Sequence, residues 1–202
     1  MAFNYLLERD IFDTDNNLLT IIQYIKDKYN IDLFNKRTLE IGIGTGIKTI
    51  KFAQNFKSYY AIEPDKTLYD KLKILCKNNS CNIKAFNCDI NHFITTITTT
   101  KKFSFVYLEN VIQFLDFEQF MEQIRNILKS KSFILIKNKK ALPYGWGSNV
   151  FNKSSTEFDI IAWKKYKEKL NNIYNLILSH KNLIYSLDDD YSHYFLIKTK
   201  KI

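Results

Sequence analysis

The sequence predicts an α/β fold: a doubly wound, seven-stranded, mainly parallel sheet with an antiparallel last strand and helices on both faces. Three observations predict it. Seven short apolar runs alternate along most of the chain with stretches of helical periodicity. Three of the five glycines crowd into Glu40-Ile-Gly42-Ile-Gly44-Thr-Gly46, between the first of those runs and a helix start. A strand, a glycine-rich turn and a helix N-terminus build the nucleotide-binding corner of such a sheet. Glycine permits positive φ there and lets the main chain lie against a ligand. The last two runs then flank an acidic turn as a hairpin, which makes one strand antiparallel near an edge.

Each element follows in order. Leu18, Leu19, Ile21, Ile22, Ile25 and Tyr29 repeat with helical spacing after Asp13-Thr-Asp15, which supplies an N-cap. Arg37 to Ile41 reads as strand one, and Ile47 to Ala53 as the helix after the glycine turn. Ser58 to Glu63 is strand two, followed by a helix from Asp65 to Lys77. Asn82 to Cys88 is strand three, and the threonine-rich stretch through Thr100 reads as a surface loop. Phe103 to Glu109 is strand four. Phe117 to Lys129 is an amphipathic helix with Phe117, Phe120, Met121, Ile124, Ile127 and Leu128 on one side. Ser132 to Lys137 is strand five, and an irregular segment from Asn138 to Ser155 holds the remaining two glycines. A long helix from Thr156 to His180 precedes the closing pair Leu183 to Leu187 and Tyr194 to Lys198, set around Asp188-Asp-Asp190. No repeat or linker divides the chain, so residues 1–202 read as one domain.

Composition narrows the setting. The chain is 46% apolar and 25% charged, as in ordinary globular proteins, and no apolar run approaches a membrane span of about 20 residues. Acidic charge arrives too early for a signal peptide. The three cysteines, Cys76, Cys81 and Cys88, form no Cys-x-x-Cys pair, so a reducing, cytoplasmic setting is expected and no metal. The net charge of +9 is carried by 27 lysines against 3 arginines, spread among acids. Arginine is what bidentate phosphate and base recognition favours, so this pattern reads as a solvated surface ahead of a nucleic-acid footprint.

The glycine spacing is G-x-G-x-G, with Glu40 two residues before it. It thus differs from the dinucleotide fingerprint G-x-G-x-x-G, and an NAD-dependent oxidoreductase is a distant reading. It resembles motif I of the class I S-adenosylmethionine-dependent methyltransferases, and the order of elements from about residue 15 onward resembles that fold too. The resemblance implies S-adenosylmethionine as cofactor and S-adenosylhomocysteine as product. It implies a cofactor site of Glu40, Gly42, Ile43, Gly44, Thr45, Gly46, Glu63, Pro64, Asp89, Ile90, Glu109 and Asn110. Glu63 would accept hydrogen bonds from the ribose hydroxyls, and Asp89 would receive the adenine amino group. Ile90 and Pro64 would sandwich the ring, while Glu109 and Asn110 would line the methionine part. Ser130-Lys-Ser132 replaces the family's usual Pro-Gly-Gly, in a turn away from the cofactor.

Methyl transfer is an in-line displacement with a neutral leaving group, so the enzyme mainly positions its nucleophile and excludes water. A hydroxyl, or an amine that starts protonated, calls for a general base. His193, Glu109 and Tyr144 are the catalytic candidates. Tyr144, Trp146 and Lys139 are the substrate candidates, in a 138–155 segment whose aromatic pair between glycines suits a cover over a flat or cationic group. Lys137, Lys139 and Lys140 could receive an anion, or form a solvated strand end. Residues 1–30 would add a helical cover, with Tyr5 to Asp13 over the cofactor. The expected activity is methylation of an oxygen or nitrogen atom of a small-molecule acceptor. An RNA or protein methyltransferase, or a non-catalytic cofactor-binding partner subunit, stands as the alternative.

Overall fold

The computed structural model describes residues 16–79, 82–97, 102–139, 157–188 and 192–199. One sheet holds β1 (Arg37–Ile41), β2 (Ser58–Ile62), β3 (Ile83–Phe86), β4 (Phe103–Glu109), β5 (Leu128–Lys139), β6 (Leu183–Asp188) and β7 (Ser192–Lys198). The strand order is β3-β2-β1-β4-β5-β7-β6. The pairs from β3 through β5 are parallel, and β7 runs antiparallel to both of its neighbours. The winding direction reverses between β1 and β4, and the crevice outside the carboxyl ends of those strands is where such sheets take ligands.

Side-chain alternation divides the core between two faces. Leu39, Ile41, Val106, Leu108, Ile134 and Ile136 pack against α4 (Phe117–Ile124) and α5 (Glu157–Leu178), through Phe120, Ile124, Leu170 and Ile177. Tyr59, Phe105, Tyr107, Phe133 and Leu135 face α1 (Asn16–Tyr29) and α2 (Ile47–Ala53), which deliver Ile21, Ile22, Ile25 and Phe52. Burying each of those isoleucines is worth roughly 2 kcal/mol, enough to hold α1 on the sheet. α3 (Lys66–Asn78) adds Leu72 against Ile43, Ile50 and Ala61. Asp65 starts it, its carboxylate accepting from the amides of Thr67 at 2.7 Å and Leu68 at 3.1 Å.

Three expectations need correction. The threonine-rich stretch is helical as far as it is described: Asp89 caps a short helix at Ile90–His92, which continues as a π-helical turn over Phe93–Ile97. Phe93 is buried and anchors that turn in the core, so the segment is no free loop. The helix begun at Phe117 stops at Ile124 with a single 3-10 turn after it, and β5 starts already at Leu128. Lys131 takes a φ of +61°, and the pairing of β4 with β5 slips between Phe103 and Phe105, so the extra residues form a bulge. Finally, the closing strand begins before Tyr194. β6 reaches Asp188 and β7 begins at Ser192, so His193 lies within a strand, in register with Asn138 on one side and Asp188 on the other.

The Asp13-Thr-Asp15 cap, the Tyr5 to Asp13 cover, Cys81 and the 140–156 segment with Tyr144 and Trp146 lie outside the described residues. Among the described residues no helix is long and apolar enough to cross a membrane, and no cluster of three metal-ligating side chains occurs. Cys76 and Cys88 are partly buried, and burial pushes the Cys88 thiol up to about 11.

Candidate functional site

The turn between β1 and α2 uses its three glycines for three different purposes. All have positive φ: +73° at Gly42, +57° at Gly44 and +79° at Gly46. At Gly42 a Cβ would collide with the Val111 side chain, and at Gly46 it would come within 2.9 Å of Leu72. Those two glycines let the loop after β4 and helix α3 close onto the turn. A Cβ on Gly44 would meet nothing within 4 Å. Gly44 is therefore the place where the main chain is bare toward open space, as a close-lying ligand requires.

Glu63 follows β2 and reaches across to this turn. Its Oε2 accepts from the Gly44 amide at 3.2 Å and its Oε1 from the Asp65 amide at 3.0 Å. The residue is only 6% exposed, and burial pushes its carboxyl above the ordinary value while the two amides pull it back. Two carboxylate oxygens offer about four acceptor directions, so capacity for further donors remains. Asn87 fixes the same corner from the β3 side, its amide donating to the carbonyls of Glu63 at 2.8 Å and Pro64 at 3.1 Å. Pro64 is exposed next to it.

A polar network lies under the turn, on the α1 and α2 face of the sheet. Glu40 is 4% exposed and accepts from the Tyr59 hydroxyl at 2.9 Å. Burial raises its carboxyl to about 7, with the Tyr59 bond acting the other way. Glu109, at the end of β4, accepts from the Tyr107 hydroxyl at 2.6 Å and lies 2.9 Å from the Lys48 ammonium and 3.2 Å from that of Lys137. Its oxygens are thus committed to three donors. Lys137 is itself buried, with its ammonium 5.6 Å from the centre of the Tyr194 ring.

The remaining candidates spread along the same edge. Ile43 and Thr45 are buried in the glycine turn. Asp89 follows β3, and one of its oxygens accepts from the His92 amide at 2.8 Å. Ile90 is buried against the main core. Asn110 follows β4 with a φ of +55°. Lys139 ends β5, and its side chain lies outside the described residues. His193 is half-buried, its ring 4.6 Å from that of Tyr174 of α5. Four strand spacings separate β2 from β7, about 19 Å, so Glu63 and His193 mark opposite ends of the edge. The topology brings the glycine turn, Glu63, Glu109 and Asn110 together around the reversal point and leaves His193 to one side. Asn87, Lys48, Lys137 as a partner of Glu109, and the buried amide of Gln113 escaped the sequence reading. Asn87, two residues before Asp89, was the one with a positional hint.

The family model described as a methyltransferase domain matches residues 38–131, from within β1 to the start of the bulged part of β5. No curated protein matches the sequence. Solved structures do match in fold. The plantazolicin methyltransferase BpumL, in complex with a triazolic desmethylPZN analog and SAH, superposes with a TM-score of 0.66 at 13% identity, covering 98% of this chain and 90% of that one. A Staphylococcus aureus protein assigned as a caffeoyl-CoA O-methyltransferase gives 0.63 at 15% identity, covering 93% and 85%. The N-methyltransferase NodS from Bradyrhizobium japonicum WM9 gives 0.58 at 12% identity, covering 93% and 97%. Residues 38–131 thus match a methyltransferase domain, set in a seven-stranded sheet that shares its fold with solved methyltransferase structures.

Proposed function

We propose that this methyltransferase moves the methyl group of S-adenosylmethionine to an oxygen or nitrogen atom of a small-molecule acceptor. The observation that carries the reading is the corner at Gly44. Open space faces its missing Cβ, and the Glu63 carboxylate is held beside it with acceptor capacity left. These residues fit a ribose with two vicinal hydroxyls, which are donors of the kind a carboxylate accepts.

In this reading Glu63 binds the ribose, and the free oxygen of Asp89 takes the adenine amino group. Pro64 and the outer edge of Ile90 flank the ring. Ile43, Thr45 and Gly46 hold the turn in shape, and Glu40 supports it from beneath. Asn110 and Glu109 line the methionine end. When bound there, the cofactor supplies an electrophilic methyl on a neutral leaving group. The chain then has to orient the acceptor and keep water away. Tyr144, Trp146 and Lys139 cover and contact the acceptor, and His193 takes up its proton where the nucleophile is a hydroxyl or a protonated amine. Glu109 contributes by holding Lys48 and Lys137 in place.

Calorimetric titration with S-adenosylmethionine, and separately with NAD, tests the reading. Micromolar or tighter binding of the first alone is expected. Glu63→Ala should then weaken that binding by about 1.5–3 kcal/mol, the loss of charge-assisted hydrogen bonds. Binding of neither compound, or an unchanged affinity in Glu63→Ala, overturns the site assignment.

A further inference from the structure

We propose that Gln113 is a positioning residue whose amide holds Asn110 in the left-handed turn that sets the β4 end against the glycine loop. Asn110 has a φ of +55°, a conformation that asparagine reaches at lower cost than other L residues but that still competes with negative φ unless neighbouring contacts favour it. Two hydrogen bonds and a packing contact contribute to holding it there. The Asn110 amide donates to the Lys137 carbonyl at 2.9 Å. The Gln113 Nε2 donates to the Asn110 carbonyl at 2.6 Å. Val111, the next residue, presses its side chain onto the bare face of Gly42.

The orientation of the Gln113 amide is fixed by chemistry, since a carbonyl only accepts and the nitrogen must face it. Gln113 is 3% exposed, and its Oε1 is buried without a hydrogen-bond partner. An apolar side chain of the same shape would leave no such orphan, so core packing gives no reason for an amide here. The bond to Asn110 does give one. Its neighbour Ile112 is wholly buried and Phe114 is 72% exposed, so the turn carries its own anchor and Gln113 is not needed for that purpose.

The turn joins three parts of the edge. Val111 touches the glycine loop, the Asn110 amide holds β5, and Glu109 just before it binds Lys48 and Lys137. Without the Gln113 bond, Asn110 relaxes toward negative φ and Val111 leaves Gly42. The loop then spends less time in its binding shape, and apparent affinity falls by the lost fraction. Gln113 acts through Asn110 and Val111 and does not itself touch ligand.

The effect on affinity rests on the cofactor reading above, whereas the conformational effect does not. The test crosses Gln113→Met, close in shape but without a donor, with Asn110→Gly, which has no penalty at positive φ. In the free protein, hydrogen exchange of the residue-110 amide should speed up about tenfold in Gln113→Met and slow again in the double variant. S-adenosylhomocysteine affinity should fall about tenfold in Gln113→Met, and by much less when the same change is made on Asn110→Gly. The urea unfolding midpoint should change little, because the lost bond to Asn110 is offset by removal of the orphan oxygen. Unchanged exchange at Asn110, or equal affinity losses in both backgrounds, overturns the proposal. So does a Gln113→Met protein that fails to fold together with Gln113→Leu, which would make Gln113 a packing residue. Should the parent protein not bind S-adenosylhomocysteine, the cofactor reading alone fails and the exchange data still decide.

Discussion

Glu40 makes the stability of this protein fall as pH rises, and Glu40→Gln should remove that fall. The carboxyl lies under the glycine turn, 4% exposed, with the Tyr59 hydroxyl as its donor. Glutamine keeps the acceptor and loses the charge. Burial raises the group from 4.5 to about 7, so at about 1.4 kcal/mol per pH unit its ionisation costs the fold about 3 kcal/mol. The folded state holds this proton more tightly than the unfolded chain. The contribution is therefore complete below pH 4.5 and is lost as pH rises through 7. Between pH 5 and pH 8 the parent should lose about 2–3 kcal/mol relative to the variant. Urea unfolding followed by far-ultraviolet circular dichroism at four pH values across that range measures the difference. The raised carboxyl of Glu63 is present in both proteins and cancels. Parallel stability profiles would refute the reasoning. They would mean that Glu40 ionises without penalty, because water or the Lys48 ammonium compensates for its burial.

The glycines should separate by role. Gly44→Ala should fold, at about 1–2 kcal/mol for the left-handed backbone, and lose most cofactor affinity because its Cβ enters the open space. Gly42→Ala should destabilise by roughly 2–4 kcal/mol through strain plus the collision with Val111, and adding Val111→Ala should restore part of it; thermal melts and calorimetry on these three variants distinguish the effects. Asp65→Ala should cost about 1 kcal/mol in urea unfolding by uncapping α3, while cofactor affinity changes little, since the Asp65 group that touches Glu63 is its main-chain amide.

All seven strands were legible, the central ones as the continuous apolar runs that a sheet covered on both faces needs, as in Phe103 to Leu108 and Phe133 to Ile136. The boundary between α4 and β5 was not. Ile127 and Leu128 are apolar and suit either element, and the bulge at Lys131 carries no glycine to announce its positive φ. The place of His193 depended on how far β6 extends, which local pattern does not set. At the site, the glycine turn and Glu63 could be read because spacing along the chain encodes them. The ion group at Glu109 could not: Lys48 is 61 residues away, and nothing local marks it or Lys137 among 27 lysines. Gln113 likewise acts on a main-chain carbonyl, which leaves no trace in side-chain patterning.

The antiparallel strand between β5 and β6 has a consequence for how the protein is made. β5 is flanked by β4 on one side, but its other edge pairs with β7, which lies more than fifty residues later, as in Lys139 with Ser192. A ribosome supplying the chain from its N-terminus leaves that row of backbone N–H and C=O groups without its partner until the β6–β7 hairpin emerges. For that interval α5, already synthesised, is the cover for one face, and the exposed backbone of β5 is the surface on which a second nascent chain could add. Yield in a cell should therefore depend on how quickly residues 192–198 are delivered, a kinetic demand that the finished sheet no longer displays.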